Sequence, residues 1–275
     1  GTTALIGASS DEAPNGANYY GGGAGSAYVF ENSGGSWTQQ AKLAADDGDG
    51  GIDFGQWVAL SNDGTTALIG ARRADGPNGD FAGSSYVFDN SGGSWTRQGK
   101  LAVDDGDSYD RFGTAVALSN DGRTALIGAK IDEGPNSDKA GSAYVFDNSG
   151  GSWSQRTKLT ADDGESGDGF GGSVALSSDG SMALIGARSD KAPNGGQSSP
   201  HGAGSAYVFG HSGGSWTQQD KLAADDGDDD DNFGDSVAMS SDGTTALIGA
   251  STDEDPNGAN QYGVGAGSAY VFDNS

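Results

Sequence analysis

Residues 54–101 read FGQWVALSNDGTTALIGARRADGPNGDFAGSSYVFDNSGGSWTRQGKL, and close copies of this segment make up the chain. The string Ala-Leu-Ile-Gly-Ala occurs five times, as does Tyr-Val-Phe, and Gly-Gly-Ser-Trp occurs four times. The tryptophans of the last motif are 58, 58 and 63 residues apart, at Trp37, Trp95, Trp153 and Trp216. A period of this length indicates tandem supersecondary units that stack on one another.

Each copy predicts four short strands. They are Phe-Gly-x-x-Val-Ala, Thr-Ala-Leu-Ile-Gly-Ala, Ser-Ala-Tyr-Val-Phe and Ser-Trp-x-x-x-x-Lys-Leu. A tight Asp-Gly turn joins the first strand to the second, and Asn-Ser-Gly-Gly joins the third to the fourth; both are hairpin signals. The second strand is apolar throughout, which favours burial on both faces, whereas the polar fourth strand is typical of an outer edge.

These strands predict an all-β fold, a β-propeller of about five four-stranded blades. One such sheet cannot bury two apolar faces alone, whereas packing sheet against sheet covers both. A β-solenoid is the alternative, but the tight turns favour antiparallel hairpins over parallel coils. Glycines at the end of the second strand, such as Gly70 and Gly128, are expected where neighbouring sheets pack closely.

Composition excludes several classes of function. The net charge of −25 at pH 7 repels nucleic acid and anionic lipid, so neither is an expected partner. Cysteine is absent from the sequence, which rules out disulfides and thiol chemistry. No apolar run approaches the ~18 residues of a membrane-spanning helix. The acidity itself has two interpretations, a salt-adapted (halophilic) surface or carboxylates that bind cations.

An acidic loop follows the fourth strand of each copy and places four carboxylates within eight residues or fewer. Oxygen ligands at this density favour a hard cation, so Ca²⁺ is the cofactor predicted here and no other is expected. The competing interpretation is that these carboxylates cap turns and are solvated. The candidate metal ligands are Asp46, Asp47, Asp49, Asp53, Asp104, Asp105, Asp107, Asp110, Asp162, Asp163, Glu165, Asp168, Asp225, Asp226, Asp228 and Asp231.

The spacing of Phe54-Gly55, Gly70-Ala71 and Tyr86-Val87-Phe88 resembles the FG-GAP repeat, and the same motifs recur to the end of the chain. FG-GAP repeats form the propeller of integrin α subunits and occur in bacterial and archaeal surface proteins. The resemblance therefore implies a propeller, an extracellular or cell-surface location, and a role in adhesion or binding.

The integrin-type calcium loop is one feature that the resemblance does not carry over. In that family an Asp-x-Asp-x-Asp-Gly loop binds calcium between the first two strands. The corresponding turns here contain only Asn-Asp-Gly or Ser-Asp-Gly, as at Asp63-Gly64. Such a turn is too short to supply the six to eight oxygens that Ca²⁺ takes.

The whole chain is interpreted as one repeat domain, 1–275. Its repeats 1 to 5 span approximately 1–53 (partial), 54–111, 112–169, 170–232 and 233–275 (partial). Repeat 1 starts at the second strand and repeat 5 stops after the third. We therefore expect either a longer polypeptide, reaching the seven blades usual in integrin relatives, or an oligomer or filament in which a neighbouring copy adds the missing strands.

Two sets of loops are expected on one side of every antiparallel blade. These are the loops between the second and third strands and those leading to the next repeat, residues 72–83 and 102–111 in repeat 2, and we call this side the loop face. Binding residues concentrate on irregular loops over a rigid scaffold, so function is predicted here. Tyr19 and Tyr20, in another such loop, are candidates for ligand contact.

The predicted function is that of a non-enzymatic extracellular or surface protein. It acts in adhesion, binding or structural assembly, and its partners are a protein, a glycan or further copies of itself. One alternative is a self-assembling filament or surface-layer subunit. Another is a propeller hydrolase or lyase, which the near-identity of the repeats disfavours because catalysis requires unique polar residues in different blades.

Overall fold

The computed structural model describes residues 1–11, 23–47, 50–77, 79–133, 139–191, 202–253 and 265–274. All regular structure within these residues is β-strand. The strands are β1 (Thr3–Ala8), β2 (Ser26–Ser33), β3 (Ser36–Leu43), β4 (Val58–Leu60), β5 (Thr66–Ala71), β6 (Ser84–Ser91), β7 (Ser94–Leu101), β8 (Phe112–Leu118), β9 (Thr124–Ala129), β10 (Ser142–Ser149), β11 (Ser152–Leu159), β12 (Ser173–Leu176), β13 (Met182–Ala187), β14 (Ser205–Ser212), β15 (Ser215–Leu222), β16 (Phe233–Met239), β17 (Thr245–Ala250) and β18 (Ser268–Asp273).

Among the described residues the strands form five sheets, and each sheet follows the order of the chain. The first sheet is β1-β2-β3 and the last is β16-β17-β18, while β4–β7, β8–β11 and β12–β15 are four-stranded. Neighbouring strands pair antiparallel, for example Leu68 with Val87 and Ile69 with Tyr86 between β5 and β6. The sequence prediction of an all-β fold built from small antiparallel sheets, here of three or four strands each, is confirmed.

The chain divides into two compact units. The first comprises Gly1–Ala129 with Val145–Arg156, and the second comprises Lys130–Tyr144 with Thr157–Ser275. The features of the candidate site described below lie within the first unit, and the repeats with which it is compared lie partly in the second.

The first strand of two repeats is shorter than its sequence motif predicts. β4 starts at Val58, four residues after the phenylalanine of the motif, because Gly55 takes a φ of 87° that interrupts the ladder. Phe54 forms an isolated parallel bridge with Gly25 instead. In β8 the same irregularity is a register shift between Phe112 and Ala115.

The phenylalanine of the Phe-Gly motif is the centre of each hydrophobic core. The Phe54 ring lies edge-on to Tyr86 at 5.4 Å and to Phe88 at 6.2 Å between ring centroids. Phe170 and Tyr207 repeat this contact at 5.4 Å. Edge-to-face pairs at such distances add to the free energy gained by burial. The motif is therefore an aromatic packing device for the blade.

The glycine at the end of the second strand permits close approach of the next sheet, as predicted. A Cβ atom built on Gly70 would lie 2.3 Å from the carbonyl oxygen of Gly113. One built on Gly186 would lie 2.0 Å from the carbonyl oxygen of Gly234. Both distances are far inside van der Waals contact, so only glycine fits without a shift of backbone.

We expect Gly70→Ala to destabilise the protein by about 1–3 kcal/mol, the usual cost of overpacking, because its methyl group meets the Gly113 backbone. Gly99→Ala is the matched control, since a Cβ there meets nothing within 4 Å. Urea denaturation of both variants measures the difference. Equal unfolding midpoints would contradict the proposed close packing of sheets.

Candidate functional site

The last aspartate of three acidic loops caps a turn. The Asp168 carboxylate accepts the backbone N–H of Glu165 at 2.6 Å, and Asp231 accepts that of Asp228 at 2.6 Å. Asp110 makes the equivalent bond, and all three carboxylates are buried. The turn-capping interpretation is confirmed for these residues.

Burial raises the pKa of Asp168 to about 7, and the nearby charges of Asp190 and Glu165 also raise it. The hydrogen bond from the Glu165 N–H lowers this pKa but does not outweigh them. The folded chain therefore holds a proton that the unfolded chain has lost, between about pH 4 and pH 7. Stability contributed by this group is present below pH 4 and is lost as the pH rises through 7.

The unfolding free energy of the wild type should therefore fall between pH 5 and pH 8. In Asp168→Asn this fall should be smaller, by an amount on the order of a few kcal/mol. Asp242→Asn is the control, because its neighbours lower the pKa of Asp242 to about 2, so it is ionised in both states across this window. Chemical denaturation at each pH measures both variants. Parallel curves for wild type and Asp168→Asn would contradict the expectation.

Other loop carboxylates bind a tyrosine and a lysine of the adjacent strands. The Tyr207 hydroxyl donates to Asp163 at 3.0 Å and to Asp190 at 3.1 Å. The Lys221 ammonium lies 2.6 Å from Asp163 and 2.7 Å from Asp190. Burial alone would lower the pKa of Lys221, but these two carboxylates raise it. We call this arrangement the Tyr–Asp–Lys cluster.

The Tyr–Asp–Lys cluster recurs in repeats 1 and 3, and its Tyr–Asp pair also occurs in repeat 5. Its aspartate is the third residue after Ala-Leu-Ile-Gly-Ala, which sequence reasoning passed over although the repeated spacing was a usable signal. The tyrosine hydroxyl donates to that aspartate in the pairs Tyr28–Asp11, Tyr144–Asp132 (2.6 Å) and Tyr270–Asp253 (2.7 Å). Lysine joins at 2.9 Å in the pairs Lys42–Asp11 and Lys158–Asp132.

Calcium ligation by the acidic loops finds little support in this geometry. No group of three or more Asp, Glu or His side chains suited to a metal ion occurs in the part of the chain that the structure describes. Arg97 pairs with Asp46 at 2.6 Å and with Asp47 at 3.0 Å, and Lys191 pairs with Glu165. The described carboxylates therefore do not by themselves fit a calcium ion.

Calcium binding stays a prediction. Asp49, one of the proposed metal ligands, lies outside the described part of the chain, as do the ligand-contact candidates Tyr19 and Tyr20. We expect molar NaCl to raise the melting temperature, because salt screens a net charge of −25. The calcium prediction requires a further rise in CaCl₂ at matched ionic strength, reversed by chelator. Identical melting curves in the two salts would contradict it.

Repeat 2 departs from the other repeats at the Tyr–Asp–Lys cluster. Ala74 replaces the aspartate, so the carboxylate that the other repeats supply is missing. The Tyr86 hydroxyl is buried and makes no hydrogen bond of normal geometry. Burial raises its pKa, and so does the nearby Asp47 charge. Among the described carboxylates, Lys100 pairs with Asp47, at 3.3 Å.

A cavity of about 770 Å³ opens at this position, on the loop face of the first compact unit. Ala74, Tyr86 and Lys100 line it together with Phe81 and Tyr109. The rings of Phe81 and Tyr109 are stacked, with centroids 5.5 Å apart and planes inclined by 29°. The volume lies within the range of small-molecule sites.

Positive charge is concentrated on one wall of the cavity. Asp53 accepts from Arg72 Nε at 3.0 Å and lies 3.2 Å from Arg73 Nε. Arg111 is the third guanidinium; burial lowers its pKa, and so do the charges of Arg72 and Arg73. Three cations thus surround one carboxylate in a chain of net charge −25.

Two side chains of this wall occupy strained backbone positions. Tyr109 has a φ of 78° and Arg111 a φ of 61°, in the left-handed region that favours glycine. The corresponding residues are Gly167 and Gly169 in repeat 3, and Asp230 and Asn232, with φ of 71° and 59°, in repeat 4. Since glycine would satisfy the backbone without strain, Tyr109 and Arg111 contribute their side chains to the site at a cost of about 1 kcal/mol or more each.

Four successive segments of the chain match one sequence family. The FG-GAP repeat matches residues 37–88, 95–146, 153–209 and 216–272, which is most of the sequence. The chain belongs to the FG-GAP repeat family. The suspected resemblance is therefore confirmed, and the repeats of this FG-GAP protein carry the site described above. No curated protein matches it in sequence.

Solved structures similar to this FG-GAP chain include two bacterial proteins. TolB from Acinetobacter baumannii is 13% identical, with a TM-score of 0.50 over 98% of this chain and 50% of that one. The periplasmic gluconolactonase PpgL of Pseudomonas aeruginosa is 17% identical, with a TM-score of 0.52 over 86% and 63%. The chain thus spans less than two thirds of either. The likeness supports the predicted fold class, a β-propeller.

A search of the described residues for a helix long and apolar enough to cross a membrane finds none.

Proposed function

We propose that this FG-GAP protein is a non-enzymatic binding module that works outside the cytoplasm, in adhesion or ligand capture, through its loop face. One observation carries the proposal. The cavity at Ala74 arises where repeat 2 departs from the Tyr–Asp–Lys cluster of the other repeats. A scaffold of repeated blades does not need the loss of this aspartate for its stability. Concave sites with a few polar groups are the usual form of a ligand site.

The environment of Asp47 favours binding over catalysis. Burial alone would raise the pKa of Asp47, but Lys100, Tyr86 and Arg97 together lower it. A hydrolase acting by general acid catalysis needs a carboxyl group that is protonated near the working pH, and a carboxylate whose pKa is lowered does not meet this need. This supports a binding role.

A location outside the cytoplasm accords with the family and with one of the two similar structures, that of a periplasmic gluconolactonase. The charge of −25 keeps such a module soluble and disfavours nucleic acid as a partner. A surface protein or glycan is therefore the partner class that we propose.

A second candidate function is self-assembly into a filament or surface layer. Large apolar side chains are exposed on the two three-stranded sheets, with Ile6 at 53%, Leu247 at 46% and Val271 at 64%. Their counterparts on the four-stranded sheet β4–β7 are fully buried. Sedimentation of the isolated chain tests this alternative, which requires association that weakens when Val271→Lys is introduced.

The binding proposal is tested with labelled protein on arrays of glycans and extracellular matrix proteins. We expect saturable binding to one class, with the bound compound recovered unchanged after prolonged incubation. The double variant Tyr109→Gly with Arg111→Gly, which copies the glycines of repeat 3, should abolish the binding while preserving the melting temperature. Turnover of the bound compound, or binding that the double variant retains, would overturn the proposal.

A further inference from the structure

We propose that the cavity of repeat 2 binds a carboxylated sugar, whose carboxylate takes the place that an aspartate side chain holds in the other repeats. The inference deepens the proposed function and rests on it. The juxtaposition that carries it is a buried tyrosine hydroxyl that makes no hydrogen bond of normal geometry, a lysine short of one carboxylate, two arginines and a stacked aromatic pair, all lining one cavity.

Repeat 2 lacks one carboxylate of the Tyr–Asp–Lys cluster. In repeat 4, Tyr207 and Lys221 both bind the Asp190 carboxylate, which lies at the base of the loop. In repeat 2 the same tyrosine and lysine positions are kept, as Tyr86 and Lys100, while Ala74 ends at its Cβ. Tyr86 and Lys100 thus keep Asp47 beside them, while the second carboxylate that their counterparts share in repeat 4 is absent. A ligand carboxylate supplies the same two oxygens at that place.

Charged side chains lie around the position of the missing carboxylate. Lys100, Arg73 and Arg111 line the cavity, and Arg72 adds a fourth cation through Asp53. Within the described residues no carboxylate forms an ion pair with Arg111. An anionic ligand is repelled at long range by the net charge of −25, and this repulsion is screened by physiological salt. At contact range a ligand carboxylate meets Lys100, Arg73 and Arg111, and the cavity is lined as well by Asp47, Asp53, Asp75 and Asp80.

The aromatic and polar lining of the cavity indicates the class of ligand. The Phe81 and Tyr109 rings are stacked, and Tyr109 is 57% exposed. A pyranose ring offers an apolar C–H face to an exposed aromatic ring, and its hydroxyls donate to acceptors. Asp47, Asp75 and Asp80 also line the cavity and provide those acceptors. An acidic peptide brings the carboxylate but few neutral donors, so a uronic-acid residue fits the lining better.

The test uses trigalacturonate as the probe, measured by isothermal titration calorimetry at 0.15 M salt. We expect Tyr86→Phe to weaken binding about tenfold, because one hydrogen bond to a charged group is lost. Its melting temperature should fall little, because the Tyr86 hydroxyl makes no hydrogen bond of normal geometry in the free protein. Tyr207→Phe is the matched control in repeat 4, and it should lower the melting temperature and leave the binding constant unchanged.

A second variant fills the position of the missing carboxylate directly. Ala74→Asp restores the aspartate of the other repeats, so we expect it to raise the melting temperature and to reduce trigalacturonate binding at least tenfold. Gln98→Asp adds the same charge on the exposed strand β7 and should leave binding within about threefold, since a surface charge is screened. Full binding by Ala74→Asp would overturn the proposal.

Related probes decide the chemical class. The methyl ester of trigalacturonate and neutral maltotriose should bind at least tenfold more weakly than trigalacturonate itself. Equal binding of the ester, or tighter binding of the peptide acetyl-Gly-Ala-Asp, would overturn the carboxylated-sugar inference. If the array experiment finds a ligand whose binding needs Tyr109 and Arg111 but trigalacturonate does not bind, this inference fails while the proposed function stands. If neither experiment finds a ligand, both fail.

Discussion

The close approach of glycine backbones between successive sheets is the constraint on which the rest of this structure depends. Gly70 lies against the Gly113 carbonyl with no room for a Cβ atom, and Gly186 lies against Gly234 in the same way. Side chains of ordinary size at these positions would separate the sheets. The phenylalanine before each of Gly113 and Gly234 could then not reach its core, because it is tied to the preceding repeat by a parallel bridge such as Gly83–Phe112.

A fixed distance between sheets also fixes where the loops begin. The same bridges hold the start of each third strand beside the end of the following acidic loop. Carboxylates from two different loops consequently meet the tyrosine and lysine of the outer strands, as Asp163 and Asp190 meet Tyr207. Much of the unusual acidity is therefore structural, since these carboxylates hold loops through lysine and tyrosine contacts.

Strands and hairpins were predictable from the sequence because their signals are local and repeat four or five times. The Asp-Gly turns, the apolar second strand and the polar fourth strand all lie as predicted. The roles of the acidic residues were not predictable in the same way. Asp190 and Tyr207 are 17 residues apart, and nothing local in the sequence shows that they meet. Density of charge suggested calcium, whereas the fold places lysine and backbone N–H groups among the carboxylates.

The candidate site shows why near-identical repeats can still carry a specific function. The scaffold requires the backbone shape of each loop, and glycine satisfies it at Gly167 and Gly169. Tyr109 and Arg111 accept the same backbone angles at a cost, and Ala74 gives up a carboxylate that the other repeats use. All three positions line one cavity, which is why we propose that a ligand supplies the missing contacts there.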